Sequence, residues 1–304
     1  AGYSKKGGYL LREESKVKRF EFMQQHADTF QVARMSSILN VSRSGHYVWK
    51  RNRDKLSPRQ ANRISRDIRV KAIFEASKQR YGALRIQQDL KDEGCIVNIK
   101  TIRNSMKRQE LVAKAAKKFK VTTTSDHNLP VSPNLLNRNF TAVRPNEKWV
   151  GDITYLWTSE GWLYLAVVID LYSRSVVGWS MSERMTASLV CDGLSMALFR
   201  RSFPKNVIFH SDRGSQYCST MFQSLLSKNN LLGSMSRKGN CWDNACSESF
   251  FHTLKVEALD NVVLTRDQMR ALVFEYIEVD YNRERRHSAL GYLSPEKFEI
   301  MQAA

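Results

Sequence analysis

Apolar positions in the first 112 residues recur at helical spacing in short stretches, and from Lys148 onward the period changes to that of strands. Val17, Phe20 and Met23 fall three apart, which predicts a helix over 15–25. Further helices are predicted over 31–39 and 42–50, joined by Asn40-Val41, with Ser42 as an N-cap. Three short helices with a tight turn before the last describe a helix-turn-helix. The plan recurs. Ile68, Ala72 and Ile73 share one face of a helix over 65–76, a second helix over 82–92 stops at Gly94, and a third over 98–109 carries Lys100, Arg103, Lys107 and Arg108. The expected organisation is one helix-turn-helix unit in 1–60 and a second in 61–113.

Residues 51–63 hold five basic side chains and Pro58 and read as a charged linker. KAAKKFK followed by TTTSDHNLPVSPN opens a second linker, taken as 114–145. Beyond it, KWVGDITYL, WLYLAVVIDL and SVVGWSMSE are rich in Val, Ile, Tyr and Trp and are separated by turn signals, so they predict three consecutive antiparallel strands. A helix over 186–201, a strand over 206–210, a helix over 219–228, a short strand over 231–235 and a helix over 242–259 follow. That β-β-β-α-β-α-β-α order fits an RNase H-like mixed five-stranded sheet with helices on both faces, occupying 146–260. A helix over 265–277 and a basic loop make up a C-terminal extension, 261–304. The fold class expected is a multi-domain α+β or α/β chain.

Charge sharpens the division. Residues 1–150 carry 32 basic and 13 acidic side chains, whereas the remainder carries 16 and 17. A basic half of this size points to a polyanion, and nucleic acid suits basic residues spread over short helices better than a membrane surface does. The longest apolar run, Trp162 to Ile169, is far below the ~18–20 residues of a membrane span. The opening residues lack a signal peptide's apolar core, and five cysteines without a CxxC signal neither a disulfide framework nor a zinc cage. A cytoplasmic protein is expected.

Three acids stand where a core acid is costly: Asp152 inside a strand, Asp212 just after one, and Glu248 inside a helix. Brought together they would form an oxygen-rich site suited to Mg²⁺ or Mn²⁺, with room for two ions acting on a phosphodiester. They are separated by 59 and 35 residues. Glu248, His252 and Lys255 share one helical face, while Phe250 and Leu254 point to the other.

With these spacings, DITYLWTSEGWLYLAVVIDLYSRSVVGW, HSDRGSQY, SMSRKGNCWDNACSESFFHTLK and YNRERRHSALGYLSP resemble the catalytic half of IS3-family insertion-sequence transposases, which share the DD(35)E retroviral-integrase core. The resemblance extends upstream through YGALRIQQDL and SRSGHYVWKR. It implies that Asp152, Asp212 and Glu248 are the metal-binding catalytic residues and that Lys255 touches DNA near the scissile phosphate. It also implies double-stranded DNA, both element ends and target, as partner, a homodimer or higher oligomer on that DNA, and a copy-out-paste-in route. Members usually begin with a further helix-turn-helix and a leucine zipper joined by a programmed frameshift. No a/d heptad run is visible here, so the sequence is either the downstream part or a form that manages without that region. An RNase H-like nuclease or resolvase without joining activity, and a DNA-binding regulator with a dead catalytic fold, are the alternative readings.

The remaining candidates divide into supports and DNA contacts. Asp170 reads as a turn residue or a partner of Arg174, Asp243 as a helix cap, and His210 as packing or support for the site. Arg237, Lys238, Trp242 and Asn244, in the loop before the Glu248 helix, suit phosphate contact and stacking. Arg43, Lys50, Arg51, Lys100, Arg103 and Lys107 are the DNA-contact candidates of the helical half.

Overall fold

The computed structural model describes residues 13–114, 131–237, 244–259 and 262–303. The chain divides into two compact units: the described residues up to Glu75 with Lys100–Leu111, and Ala76–Ile99 with the described residues from Val112 onward. Lys238, Trp242 and Asp243 lie outside the described residues.

In the first unit α1 (Lys16–Gln25), α2 (Val32–Ile38) and α3 (Arg43–Asn52) fall where apolar spacing puts them. Ser15 caps α1 by accepting from the Lys18 amide, and Ser42 caps α3 by accepting from the Gly45 amide. Met23, Met35 and Leu39 form the core between them, with Phe20 and Val32 packed alongside. Asn40 turns the chain at φ 51°, and Arg19 donates to the Leu39 carbonyl at 3.0 Å, which holds the α2–α3 turn.

The charged linker over 51–63 is not what forms. Helix α4 runs Pro58–Ala76, so half of that linker is its first two turns. Ser57 accepts from the Gln60 amide while Gln60 Oε1 accepts from the Ser57 amide, a reciprocal cap, and Pro58 sits at the position where a missing N–H costs nothing. The apolar period was blind to these turns because no large apolar residue precedes Ile64. Helix α6 (Ile99–Arg108) is tied to α4 through Asp67, which accepts from Ser105 and Arg108, both at 2.6 Å. Burial works against charge on Asp67, but the Arg108 and Ser105 hydrogen bonds outweigh it and hold the carboxyl below its ordinary range. Helix α5 (Ala83–Asp92), between them in sequence, belongs to the second unit, where Asp89 accepts from Arg286 at 2.7 Å.

The second unit is built on a five-stranded sheet in the order β3-β2-β1-β4-β5, formed by β1 (Lys148–Thr158), β2 (Gly161–Asp170), β3 (Val176–Ser182), β4 (Ile208–Ser211) and β5 (Leu232–Met235). β1–β2 and β2–β3 are antiparallel, whereas β1–β4 and β4–β5 are parallel. One core, on Trp149, Val168 and Phe209, is covered by α7 (Ala187–Arg200), the one-turn α8 (Ser215–Cys218) and α9 (Thr220–Lys228). The other, on Val150, Leu156 and Val167, is covered by α10 (Ala245–Glu257) and α11 (Arg266–Glu275). Among the described residues no helix is long and apolar enough to cross a membrane.

Two segments expected to be peripheral are part of this core. Residues 131–145 are stapled down: Leu136 is buried, Ser234 Oγ accepts from the Leu135 amide at 2.9 Å, and the buried Lys148 donates to the Thr141 carbonyl at 2.7 Å. The C-terminal region supplies Met269, Val273, Tyr276, Ile277 and Tyr281 to the second core. After α11 the chain winds into a π-helical segment, Tyr276–Glu284, and α12 (Pro295–Ala303), a helix for which the apolar spacing gives no separate prediction, follows the basic loop.

Glu257, the last residue of α10, accepts from Arg285 Nε at 2.9 Å and from the Tyr276 hydroxyl at 3.0 Å. Asp280 accepts from Arg80 at 2.6 Å and from Lys78 at 3.2 Å. Burial, reinforced by Arg285, Arg85 and Arg174, pulls the His287 imidazole down to about 3, so it stays neutral in working conditions.

Two outcomes follow from this packing. A Cβ on Gly178 would lie 2.2 Å from the Gly193 carbonyl oxygen of α7, so Gly178→Ala should destabilise the fold by about 3 kcal/mol in denaturant unfolding. Glu257→Ala leaves Arg285 buried without its anion and should cost about 3–5 kcal/mol in the same measurement.

Candidate active site

Parallel pairing of β1 and β4 sets the register of the site. Val150 pairs with His210, and two residues further on comes a carboxylate in each case, Asp152 within β1 and Asp212 just past the end of β4. The strand pleat puts Asp152 on the same side as Val150 and Leu156, the side covered by α10. Its backbone has no slack, because a Cβ on the preceding Gly151 would come within 2.4 Å of the Phe209 ring. Asp152 Oδ1 accepts from the Ile153 amide at 2.8 Å, and Asp212 Oδ1 accepts from the Gly214 amide at 2.9 Å in the turn that opens α8.

Burial pushes the Asp152 carboxyl well above the ordinary carboxylate range, and the negative charge of Asp212 adds to that push more than Glu248 does. Two like charges side by side therefore form the inner part of the site, with Glu248 at its solvent edge in the first turn of α10, where the helix N-terminus favours an acid. Partial burial raises Glu248 as well. Lys255 is pulled down by burial while Asp152 works to keep it charged, which puts its ammonium within electrostatic reach of the inner pair. His252 is exposed on the same helix, and Phe250 and Leu254 are buried beneath it, as their spacing requires. Tyr217 lies fully buried beneath the site, its hydroxyl pushed well up by burial and by both aspartates.

Among the described residues no three His, Cys, Asp or Glu side chains are already gathered closely enough to hold one ion. The arrangement is an inner pair with an outlying third carboxylate. Its donor set is nonetheless that of a hard divalent cation: oxygen ligands only, with Asp152 and Asp212 close enough to repel each other, a repulsion such a cation would relieve.

The other candidates are distributed differently. Asp170 is fully buried and belongs to a turn, accepting from the Asn146 amide at 2.9 Å and the Tyr172 amide at 3.0 Å. Its nearest cation is Arg201 at 4.0 Å rather than Arg174, which is turned onto the Cys246 thiol. His210 is buried and hydrogen-bonded through Nδ1 to Ser234 Oγ at 2.8 Å, so it supports the site by joining β4 to β5. Arg237 is exposed and donates to Asn137 at 2.6 Å. Asn244 occupies the cap position of α10 and is only 6% exposed, with no hydrogen bond to its Oδ1, so it does not face outward as a DNA contact would. Arg43, Lys50, Arg51, Lys100, Arg103 and Lys107 are all exposed, the last three along one stripe of α6. Tyr217 is the neighbour of the two aspartates that the sequence did not point to; its only signal was an aromatic five residues after Asp212.

A sheet in this order, with acids leaving two parallel neighbours at one level and a third on the helix above, defines the integrase type of catalytic core. The chain matches the integrase core domain over residues 142–241 and again over 231–295, and an HTH-like domain over 60–119. It is 55% identical to the transposase InsF for insertion sequence IS3A of Escherichia coli over 282 residues, which is 92% of this chain and 98% of that protein. It is 44% identical to the insertion element IS600 uncharacterized 31 kDa protein of Shigella sonnei, over 87% of this chain and 97% of that one. Among solved structures, the HTLV-2 integrase catalytic core domain in complex with magnesium aligns at 17% identity and a TM-score of 0.40, covering 52% of this chain and 99% of that one. The chain belongs to the family of IS3-type insertion-sequence transposases.

The raised Asp152 carboxyl has a measurable sign. The folded protein holds that proton more tightly than the unfolded chain, so in chelator the stability falls as pH climbs from the ordinary carboxylate range towards the raised value. Asp152→Asn should therefore raise the thermal midpoint of the cation-free protein at pH 8, with the difference disappearing below about pH 4. An unchanged midpoint at pH 8 would contradict the raised Asp152 carboxyl beside Asp212.

Proposed function

We propose that this DNA transposase cuts phosphodiesters at the ends of an insertion sequence and joins the freed ends to new sites, with Asp152, Asp212 and Glu248 as its catalytic carboxylates. The observation that carries the reading is the electrostatic proximity of Asp152, on β1, to Asp212, just past the end of β4, two residues beyond the paired Val150 and His210, with Lys255 in reach of Asp152. Asp152 and Asp212 would hold a divalent cation, Mg²⁺ or Mn²⁺, with Glu248 closing on it from α10; two ions per site suit a phosphodiester. Such a cation, when bound, supplies charge stabilisation at the phosphoryl group. Lys255 neutralises a phosphate of the incoming strand, and Gly151, wedged on Phe209, keeps Asp152 from drifting out of line.

The reaction has two displacements. Water attacks a phosphodiester at the element end, the P–O3′ bond breaks, and the 3′ oxygen leaves and takes up a proton. That 3′-OH then attacks a second phosphodiester, forming a new P–O bond as the old one breaks, without a covalent enzyme intermediate. By family likeness the first joining falls beside the other end of the element on the same strand, a copy-out-paste-in route. Double-stranded DNA is the partner, bound as a homodimer or higher oligomer in the cytoplasm. The exposed Arg43, Lys50, Arg51, Lys100, Arg103 and Lys107, with Arg237 and Lys238, are its contacts, and Trp242 stacks on a base. Within the expected segments 1–60, 61–113, 114–145, 146–260 and 261–304, DNA binding falls to the first two and chemistry to the fourth, with 131–145 and 261–304 serving its core; the HTH-like match over 60–119 supports the second.

Strand-transfer assays with precut ends in Mg²⁺ test this reading. Joined product is expected from the parent, and Asp152→Asn, Asp212→Asn and Glu248→Gln should each lower cleavage and joining by at least about 10²-fold. Hydrolysis without joining would make the protein a nuclease, and undiminished activity in Asp152→Asn would remove the catalytic assignment.

A further inference from the structure

Helices α4 and α6 frame a groove of about 980 Å³ within the helical unit, where Arg59, Arg63 and Arg66 of α4 face Thr101, Asn104 and Arg108 of α6. The three α4 arginines recur at i, i+4 and i+7 and so point one way. Arg108 is neutralised by Asp67 at 2.6 Å. Arg59 and Arg63 have no carboxylate partner among the described residues, and the buried Nε of Arg66 has no hydrogen-bond partner. Cations converging on a concave surface with one nearby acid repel one another, and an anion in the groove would relieve that repulsion.

The rest of the lining narrows the choice of anion. Ser57, Gln60 and Asn62 complete it, so every side chain is charged, amide or hydroxyl, and none is aromatic or aliphatic. A lipid or a drug-like molecule would need apolar walls, and a single strand with splayed bases would need stacking surfaces. Along α4 the arginines span roughly 10 Å, at ~1.5 Å of rise per residue. A DNA strand presents a phosphate about every 3.4 Å of axis, so the row is long enough to meet several phosphates of a backbone rather than one free ion.

We propose that this groove binds the sugar-phosphate backbone of duplex DNA, and that it does so independently of sequence and apart from the exposed Lys100, Arg103 and Lys107 stripe. The proposal rests on the reading of the chain as a DNA-binding transposase. It divides the helical unit into a gripping surface, which fixes the duplex, and a face left to read bases.

The test measures binding of the full chain to two labelled duplexes, one carrying the terminal repeat and one unrelated, over a series of salt concentrations. Arg59→Gln/Arg63→Gln should weaken both by the same factor and flatten the slope of log affinity against log salt by about 2, near 0.9 per lost phosphate contact. Arg59→Lys/Arg63→Lys, which keeps the charge, should retain the parent's slope. An unchanged slope in the glutamine variant overturns the proposal, as does a loss confined to the terminal-repeat duplex. Circular dichroism of both variants separates these results from unfolding. If the parent binds neither duplex, the DNA-binding reading fails and the groove proposal falls with it; a parent that binds while the glutamine variant is unaltered removes the groove alone.

Discussion

Two carboxylates are held next to each other because two neighbouring strands run in parallel and in register. Val150 opposite His210 is a backbone fact, and Asp152 beside Asp212 is its consequence. Neither side chain can relax the repulsion by moving its main chain, since Gly151 is pressed onto Phe209 and Asp212 is tied into the turn at Gly214. The site is thus destabilised on its own, which is the usual condition of a centre arranged for chemistry. The buried Tyr217 beneath it offers no anion, because the same burial and the same aspartates keep its proton on.

The third carboxylate is governed from the far end of its helix. Glu248 begins α10 and Glu257 ends it, and Glu257 is gripped by Arg285 and Tyr276 from the C-terminal region. The whole face between, Phe250, Phe251 and Leu254, is packed against the sheet and the π-helical segment. A helix fixed in this way can present Glu248 and Lys255 on its open face without either contributing to the core. The C-terminal basic run is therefore structural in large part: Arg285 and Arg286 are spent on Glu257, Asp89 and Asp92.

Much of this was legible in the chain because strands and helices advertise themselves by period. The first three strands follow from their runs of Val, Ile, Tyr and Trp, and Asp152 and Asp212 stood out because an acid inside or directly after an apolar strand is costly without a partner. What escaped was written in polar residues. The first two turns of α4 and all of α12 each begin Ser-Pro, a cap followed by a residue preorganised for helix, yet neither start carries an apolar stripe. The segment 131–145 was hidden similarly, since Ser234 and Lys148 bind its backbone, and backbone partners leave no mark in composition. Of the two readings of Asp170, the turn is the one that forms; the ion pair with Arg174 does not, because Arg174 is close in sequence but Arg201, just past the end of α7, is the cation close in space.

The charge division of the chain also takes on a physical meaning. Nearly all the net positive charge lies before the sheet, yet the structure spends some of it internally: Arg80 and Lys78 serve Asp280, and Arg108 serves Asp67. Other cations lie on exposed stripes and line the α4–α6 groove. Residues 151–304, with 16 basic and 17 acidic side chains, carry their own excess of negative charge at one spot, and a polyanion approaching those carboxylates is repelled. Lys255 beside the pair counters that repulsion only locally. Binding and chemistry in this chain therefore impose opposite electrostatic demands, and assigning them to different stretches of sequence lets each demand be met without weakening the other.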